Sequence, residues 1–438
     1  MPKYKIFVFL LSKTEQFFIY LNMAKFFING KNRLCGEVEM DTAKNALLPI
    51  LAGCIMVEGK VTLEKATAYT DVEAMCDILR ALGGVAQRKG DDLEIDCSSL
   101  DKCELSHELA SPVRSSIFTL GPLLARLGKA KVAYPGGCDI GLRPIDIHLS
   151  SLRQLGCKIV EKNGYIYAEK GKPLTREVFL SFQSVGATEN IMMFCALLPG
   201  ESKIYNSAKE PEIVDLARFL SCCGAKIEGA GTDVITIIGV ERLEGCRYRA
   251  ISDRIECGTF LIAAAMTGGE IKLENAVSKH NSALIEKLKT CGCLIKEGDN
   301  EIFLSAPKRL ESFVDVETAV YPGFPTDLQP QIVALASIAK GCSLVFENVF
   351  ENRFNYVGEL LKMGCDIRFK SSICIIRGKD KIFGADVVST DLRGGAALVL
   401  AGLACEGYTT ISRVEFIDRG YFHLEDKLVQ LGADIKRI

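Results

Sequence analysis

The residue best suited to chemistry in this chain is a cysteine set in a glycine-rich loop. Cys138 follows Tyr134-Pro135-Gly136-Gly137, and Arg143 stands five residues later. Glycine and proline at this density predict a shaped loop whose backbone can approach a ligand closely. A nearby guanidinium lowers the pKa of a thiol, whereas the neighbouring carboxylate of Asp139 raises it. We interpret the loop as carrying an acid or nucleophile over an anionic substrate; the alternative is a surface turn with an incidental cysteine.

The length and composition of the chain exclude some classes of protein and favour others. The chain has 438 residues, of which 48% are hydrophobic, and a formal net charge of −2. This length predicts two or more domains, and the balanced charge argues against a nucleic-acid-binding protein. Four well-separated histidines and the lack of any Cys-x-x-Cys pair argue against a metal site. The 18 cysteines predict a reducing, cytoplasmic compartment and mostly buried thiols.

The first residues form a separate unit in the sequence. The apolar run at 6–11 is too short to cross a bilayer, which needs about 20 residues. No small-residue cleavage site follows this run, so it does not resemble a signal peptide. We expect residues 1–22 to be a peripheral extension or an upstream misread start, and we expect no membrane insertion.

A helix-like run that ends in glycine and leads into a strand-like run recurs along the chain. The glycines stand 68 to 73 residues apart and are Gly83, Gly156, Gly224, Gly292, Gly364 and Gly432. Glycine is favoured just after a helix because that position adopts a left-handed conformation. The pattern predicts six repeats of two helices and several strands. Three repeats would fill a domain of about 200 residues.

A second helix in each repeat begins at a run rich in Ser, Thr and Asp, the preferred N-cap residues. Four of these helices carry Lys44, Arg114, Arg254 or Arg393 in the first turn. A cation there costs on the order of 0.3–1 kcal/mol because the helix N-terminus is already positive. We therefore expect an anion to bind at these helix starts; for Arg254 the alternative is a residue that holds domains or loops in place. The fifth repeat carries Asp327 instead, which is either a proton acceptor or a simple N-cap.

Several motifs in order give the chain a family resemblance over residues 23–438. They are Ala43-Lys44-Asn45-Ala46, Pro135-Gly136-Gly137-Cys138, Arg143-Pro144-Ile145-Asp146, Ser184-Val185-Gly186-Ala187-Thr188, Glu210-Pro211-Glu212, Asp253-Arg254-Ile255-Glu256, Phe324-Pro325-Thr326-Asp327, Phe350-Glu351-Asn352-Arg353-Phe354, Thr390-Asp391-Leu392-Arg393 and Asp418-Arg419-Gly420-Tyr421. On these motifs the chain resembles the enolpyruvyl transferases.

The resemblance implies an α/β fold, a two-domain inside-out barrel built from six βαβαββ units, three in each domain. We expect domain 1 to comprise residues 23–43 plus 252–438. Domain 2 would comprise residues 44–251 and carry the Cys138 loop. Residues 1–22 would precede both domains as an extension.

The resemblance also implies the reaction. The enolpyruvyl group of phosphoenolpyruvate would be transferred to the 3-hydroxyl of UDP-N-acetylglucosamine, with release of phosphate, by addition and elimination. This is the first committed step of peptidoglycan synthesis, it needs no cofactor or metal, and it is the target of fosfomycin. The alternatives are transfer of the same group to shikimate 3-phosphate and a non-catalytic protein of the same fold.

Roles for individual residues follow from the resemblance. Cys138 would protonate the methylene carbon of phosphoenolpyruvate and could hold the substrate covalently. Asp327 would take the proton of the sugar hydroxyl, with Lys44 and Arg419 completing the catalytic set. The expected substrate-binding residues are Lys44, Asn45, Arg114, Arg143, Pro144, Ile145, Asp146, Ile147, Ser184, Val185, Gly186, Asp327, Val349, Arg353, Arg393 and Arg419. For Arg353 a structural ion pair is the alternative.

Overall fold

The computed structural model describes residues 24–136 and 145–438. Its strands are β1 Phe26–Asn29, β2 Cys35–Glu39, β3 Val57–Glu58, β4 Lys60–Leu63, β5 Val85–Lys89, β6 Asp92–Asp96, β7 Glu104–Leu105, β8 Lys129–Ala133, β9 Lys158–Lys162, β10 Tyr165–Glu169, β11 Glu177–Phe179, β12 Gly200–Tyr205, β13 Lys226–Glu228, β14 Val234–Gly239, β15 Leu243–Glu244, β16 Arg247–Tyr248, β17 Glu270–Glu274, β18 Leu294–Glu297, β19 Glu301–Ser305, β20 Asp315–Glu317, β21 Cys342–Phe346, β22 Asp366–Lys370, β23 Ile373–Arg377, β24 Asp386–Val388, β25 Tyr408–Ser412 and β26 Asp434–Arg437.

The α-helices lie between these strands. They are α1 Lys44–Gly53, α2 Thr70–Ala81, α3 His107–Ala110, α4 Leu120–Leu127, α5 Asp146–Gln154, α6 Val185–Ala196, α7 Pro211–Cys222, α8 Arg254–Met266, α9 Ser282–Thr290, α10 Gln329–Ala336, α11 Val357–Lys362, α12 Leu392–Ala404, α13 Glu415–Asp418 and α14 Leu424–Gln430. Short 3-10 turns occur at Cys54–Met56, Arg114–Thr119, Ser278–Asn281 and Thr326–Leu328.

Six four-stranded sheets share one strand pattern. Their orders are β16-β4-β6-β5, β7-β8-β10-β9, β11-β12-β14-β13, β2-β17-β19-β18, β20-β21-β23-β22 and β24-β25-β1-β26. In each of these six sheets the first two strands pair in parallel and the others pair antiparallel. The short strands β3 and β15 form a separate parallel pair. A parallel pair requires a crossover connection, commonly a helix. The six predicted repeats are confirmed.

The helices lie inside and the sheets outside. Ala187–Ala196 of α6, Ile255–Met266 of α8 and Leu392–Leu403 of α12 are buried on all sides, as an all-round apolar helix requires. One core draws its residues from 43–250, and a second from 26–40 and 255–435. We call the parts built on them domain 2 and domain 1. Their limits at residues 23–43, 44–251 and 252–438 stay a prediction.

The two crossings between the domains run side by side. Thr42 and Ser252 form an antiparallel bridge. The amide of Ala43 donates to the carbonyl of Ile251 at 2.7 Å, and the amide of Asp253 donates to the carbonyl of Asp41 at 2.8 Å. Both α1 and α8 begin directly after this paired segment, so their N-termini meet at the connection between the domains.

Some predictions concern residues outside the described ranges. The proposed extension at 1–22 and the Cys138 loop, including Arg143 and Pro144, are among them. None of the helices in 24–136 and 145–438 combines the length and apolar composition needed to cross a membrane. Within the same ranges, no three His, Cys, Asp or Glu side chains gather as a metal site would require.

The helix-ending glycines adopt the predicted conformation. Their φ angles lie between +85° and +106° for Gly83, Gly156, Gly224, Gly292, Gly364 and Gly432. A side chain in this region strains the backbone by roughly 1–2 kcal/mol. The glycine is therefore required for the sharp turn from each outer helix into the strand that follows.

We predict that Gly364→Ala destabilises domain 1 by about 1–2 kcal/mol through backbone strain alone. A Cβ at Gly364 would make only an ordinary contact of 3.6 Å with Phe383. Gly358 of the preceding helix α11 has open space around its Cα and no positive φ. Gly358→Ala should therefore stabilise the protein by up to about 1 kcal/mol. Thermal unfolding of both variants checks the prediction, and equal shifts in one direction would contradict it.

Candidate active site

Asp71 joins two cations that come from different domains. Arg419 donates from Nε to Oδ1 of Asp71 at 2.9 Å, and Lys44 Nζ lies 3.5 Å from Oδ2. Asp71 stands in the first turn of α2, and its side chain is only 9% exposed. No sequence motif marks Asp71, since an acid in the first turn of a helix is favoured by the helix dipole alone.

Lys44 begins α1 beside the connection between the domains. Its amide donates to Oδ2 of Asp253 at 3.2 Å, so the carboxylate that caps α8 also holds the start of α1. Burial lowers the pKa of Lys44 below its usual value, and the positive charges of Arg393 and Arg419 lower it further. The carboxylate of Asp71 opposes this shift, so Asp71 helps Lys44 to remain charged.

Asp327 lies between two buried arginines. Arg353 donates from Nη2 to Oδ1 at 3.2 Å, and Arg393 donates from Nη2 to Oδ2 at 3.1 Å. Arg353 also donates to the carbonyl of Thr326 and lies 3.7 Å from Asp391. Its guanidinium is almost fully buried and surrounded by acceptors, which favours a positioning role over direct contact with substrate.

The arginines determine the ionisation of Asp327. Burial opposes its charged form, but Arg393, Arg353 and Lys44 outweigh burial and hold the pKa of Asp327 well below its usual value. The side chain is still 30% exposed. Asp327 is therefore an ionised carboxylate that solvent or a ligand can reach, as a proton acceptor must be.

Arg393 has donors to spare. It is the second residue of α12 and only 2% exposed. Its Nη2 is bonded to Asp327 and its guanidinium also interacts with the hydroxyl of Tyr421, whereas Nε and Nη1 are buried and meet no acceptor at hydrogen-bonding distance and angle within the described residues. Its guanidinium also lies 5.3 Å from the ring centre of Tyr421. Buried unpaired donors are costly, and an anionic oxygen would satisfy them.

Arg254 corrects part of the anion hypothesis. We expected a ligand to supply the negative charge missing at each cationic helix start. Instead, Nε of Arg254 in domain 1 donates to both carboxylate oxygens of Glu212 in domain 2, at 3.0 and 3.3 Å. The protein itself therefore compensates Arg254, as Asp71 does for Lys44. Arg254 belongs to the junction between the domains.

A second group of predicted residues surrounds His148. Nδ1 of His148 lies 3.0 Å from Nδ2 of Asn190. Burial lowers the pKa of His148 to about 3, with a further contribution from the charge of Arg114, so the imidazole is neutral. A Cβ at Gly186 would come within 3.0 Å of the His148 ring. Gly186 lies in α6, and Ser184 is the N-cap of that helix. The hydroxyl of Ser184 accepts a hydrogen bond from the amide of Ala187.

The remaining predicted residues occupy loop and helix boundaries. Asn45 is half-buried in the first turn of α1. Ile145 precedes α5, which begins with the exposed Asp146 and half-buried Ile147. The amide of Val349 donates to Glu347 at 2.9 Å. Val185 is the first residue of α6.

Glu347 is a second residue that sequence analysis missed. It is buried, and its carboxylate accepts hydrogen bonds from Thr326 at 3.0 Å and from the amides of Val349 and Phe350. It thereby fixes the turn that carries Asp327 against the loop that carries Val349. Its bonds to the amides of Val349 and Phe350 are local, but the contact that ties it to the Asp327 turn is made with Thr326 on another segment, and no sequence pattern shows that contact.

Known proteins share this fold. The solved enolpyruvyl transferase NikO from Streptomyces tendae matches with a TM-score of 0.85 at 24% identity, covering 95% of this chain and 99% of that chain. The EPSP synthase from Acinetobacter baumannii matches with a TM-score of 0.72 at 18% identity, covering 94% of this chain and 100% of that chain. These matches confirm the expected inside-out α/β barrel.

Sequence comparison reaches further. The family model described as EPSP synthase (3-phosphoshikimate 1-carboxyvinyltransferase) matches residues 28–428. UDP-N-acetylglucosamine 1-carboxyvinyltransferase 2 of Caldanaerobacter subterraneus subsp. tengcongensis is 49% identical, over 95% of this chain and 100% of that protein. UDP-N-acetylglucosamine 1-carboxyvinyltransferase of Shewanella piezotolerans is 46% identical over the same shares.

The chain therefore belongs to the family of enolpyruvyl transferases that includes EPSP synthase. Within that family it groups with the UDP-N-acetylglucosamine 1-carboxyvinyltransferases, because relatives of that name match nearly its whole length. The predicted family resemblance and the transferase class are confirmed.

We predict that Asp71→Asn lowers the melting temperature and makes the protein more responsive to phosphate. Removing one partner from a buried ion pair costs on the order of 3 kcal/mol, and the amide removes the negative charge that Lys44 and Arg419 share. Inorganic phosphate should replace the lost charge and raise the melting temperature of the variant more than that of the native protein. Differential scanning fluorimetry with and without phosphate measures both effects.

Asp77→Asn is the matched control. Asp77 lies on the same helix, but its side chain is 62% exposed and pairs with Arg80 at the surface. Such a pair contributes little, so this variant should melt and respond to phosphate as the native protein does. Equal phosphate responses in all three proteins would contradict the assigned role of Asp71.

Proposed function

We propose that this protein transfers the enolpyruvyl group of phosphoenolpyruvate to the 3-hydroxyl of UDP-N-acetylglucosamine and releases phosphate. The observation that carries the proposal is the cluster of Lys44, Arg419 and Arg393 beside an ionised Asp327. Such a cluster suits a small polyanion reacting with a hydroxyl. The names of the relatives supply the identity of the acceptor.

Phosphoenolpyruvate would bind where cationic donors exceed carboxylates. Lys44 and Arg419 both contact the carboxylate of Asp71, so two positive charges lie side by side where a phosphate can bind. The unpartnered Nε and Nη1 of Arg393 suit two carboxylate or phosphate oxygens, since a guanidinium donates in a planar fork. Arg143 is assigned to the same substrate from its motif, and Arg114 from its place at a helix start and its half-buried position.

Asp327 would accept the proton of the sugar hydroxyl. Arg353 and Arg393 fix its two carboxylate oxygens in place. An arriving anion on Nε and Nη1 of Arg393 would neutralise part of the positive field around Asp327. This raises the pKa of Asp327 toward the value a base needs, so substrate binding would itself activate the base.

The chemistry proceeds by addition and then elimination. The sugar oxygen bonds to the central carbon of phosphoenolpyruvate, while Cys138 gives a proton to the methylene carbon. A tetrahedral ketal results. Loss of a proton from the new methyl group then restores the double bond as phosphate leaves. The Cys138 thiol lies outside the described residues and is assigned from its sequence motif.

The sugar nucleotide would lie along several helix starts. The surfaces involved are Asn45, residues 145–147 with Arg143 and Pro144 before them, Ser184 with Val185 and Gly186, and Val349. The neutral His148 is packed against Gly186, so it shapes this surface without adding charge.

We assign the protein to the cytoplasm because the cysteines at described positions are free thiols, as reducing compartments favour.

Phosphate release with two acceptors tests the function. We predict saturable release from phosphoenolpyruvate in the presence of UDP-N-acetylglucosamine and only background release with shikimate 3-phosphate. The family match to EPSP synthase makes the second acceptor the necessary comparison. The reverse preference would overturn the proposed acceptor, and no release with either acceptor would overturn the proposed catalysis.

We predict that Asp327→Asn lowers kcat by roughly 10²- to 10⁴-fold, the usual contribution of a general base. The asparagine keeps the shape of the side chain but cannot take a proton. The dissociation constant for UDP-N-acetylglucosamine should change little. Steady-state kinetics and isothermal titration calorimetry separate the two quantities.

Glu347→Gln provides a control for disturbance of the turn. Glu347 holds the Asp327 turn through Thr326 but has no direct bond to Asp327 among the contacts described. We expect a small loss shared between kcat and binding. If Asp327→Asn produced the same modest, shared loss, Asp327 would be part of the scaffold and not the base.

A further inference from the structure

Three cysteines meet at one end of α7 in domain 2. Cys222 is the last residue of α7, Cys223 is its C-cap, and Cys246 lies between β15 and β16. The sulfurs of Cys223 and Cys246 are 3.4 Å apart. Cys222 is exposed, Cys246 is half-buried and Cys223 is buried, so the cluster extends from the surface inward.

Backbone hydrogen bonds fix the positions of the end of α7 and of the segment between β15 and β16. The amide of Glu244 donates to the carbonyl of Cys223 at 2.8 Å, and the amide of Thr62 donates to the carbonyl of Cys246 at 2.9 Å. The thiol of Cys222 points toward the carbonyl of Arg247 at 3.9 Å. Formation of a disulfide therefore needs only rotation and small shifts of the side chains to bring two sulfurs to bonding distance.

The thiols of Cys222 and Cys246 are held in the protonated form. Contact with Cys223 and then burial raise the pKa of Cys246 well above its usual value. Burial and then contact with Cys246 also raise the pKa of Cys222. Cys246 therefore interacts with both neighbours. Protonated thiols are poor nucleophiles, which keeps the cluster reduced until a strong oxidant reaches the exposed thiol.

We propose that Cys222, Cys223 and Cys246 form an oxidation site that accepts a hydroperoxide at Cys222 and ends as a Cys223–Cys246 disulfide. The hydroperoxide oxidises the Cys222 thiol to a sulfenic acid and is reduced to an alcohol or, from hydrogen peroxide, to water. The Cys246 thiol then displaces water from the sulfenic acid and forms a Cys222–Cys246 disulfide. Thiol exchange from Cys223 onto Cys246 returns Cys222 as a thiol.

The crosslink would lie far from the proposed chemistry. Glu212 pairs with Arg254 near the other end of α7, on the order of 15 Å along the helix axis from Cys222. The bond would tie the end of α7 to the segment that leads into β16, all within domain 2. Since it constrains the unfolded chain, oxidation should raise the melting temperature.

Peptide mapping of the full-length protein tests the site. After treatment with hydrogen peroxide and blocking of free thiols, trypsin should release Phe219–Lys226 joined to Leu243–Arg247, with loss of two hydrogen atoms. Reduction should separate the two peptides. The oxidised protein should melt at a higher temperature than the reduced protein.

Single variants assign the roles. Cys246→Ser should abolish the crosslink and the rise in melting temperature. Cys223→Ser should leave only the Cys222–Cys246 bond, and Cys222→Ser should slow crosslinking by several fold without preventing it. Cys342→Ser, which removes an exposed thiol elsewhere, should crosslink at the native rate.

Three results would overturn the proposal. One is oxidation of Cys222 to its sulfinic or sulfonic acid in the native protein, with no joined peptides. Another is attachment of Phe219–Lys226 to cysteines other than Cys246. The third is an unchanged yield of the crosslink in Cys246→Ser. None of these measurements depends on enzyme activity, so a failure of the oxidation site can be distinguished from a failure of the proposed function.

Discussion

The structure depends on the compensation of positive charge at buried helix starts. Lys44, Arg254 and Arg393 sit in first turns, where the helix dipole is already positive. Isolated buried charges are strongly unfavourable, and removal of one partner from a buried pair is costly. Each of these cations is accordingly met by a carboxylate: Lys44 by Asp71, Arg254 by Glu212 and Arg393 by Asp327.

This compensation couples the two domains. Arg419 in domain 1 reaches Asp71 in domain 2, and Arg254 in domain 1 reaches Glu212 in domain 2. The amide of Lys44 donates in turn to Asp253 across the paired connection. The geometry of the charged cluster therefore depends on the relative orientation of the domains. An anion that competes for Lys44 or Arg419 would act directly on contacts between the domains.

The same arrangement explains how one cluster can bind anions and hold a base. The carboxylates neutralise enough positive charge for the cations to lie close together in the folded protein. Nε and Nη1 of Arg393 still meet no acceptor at hydrogen-bonding geometry within the described residues. Asp327 keeps its charge because two guanidiniums bond to it. Binding of a polyanion and activation of the carboxylate would then be linked through Arg393, because an anion on its remaining donors weakens the positive field that keeps Asp327 ionised.

The amino-acid sequence alone determined the features that depend on neighbouring residues. The helix-ending glycines, the six repeats and the cations in first turns could be predicted because positive φ, strand alternation and the helix dipole are local properties. The motifs around Lys44, Asp327 and Arg419 also identified the family. The same local reasoning left Arg254 open between an anion site and a residue that holds the domains in place, and its ion pair with Glu212 favours the second role.

Only the tertiary structure decided which charges meet. Asp71 and Arg419 are 348 positions apart. An acid in a first helix turn is common, so nothing near Asp71 in the sequence indicates that it pairs with Arg419. Glu347 and the Cys223–Cys246 contact became evident only after separate segments had been packed together. Such pairings follow from the burial of apolar helix faces, which places polar groups from distant segments side by side without leaving a pattern in either segment.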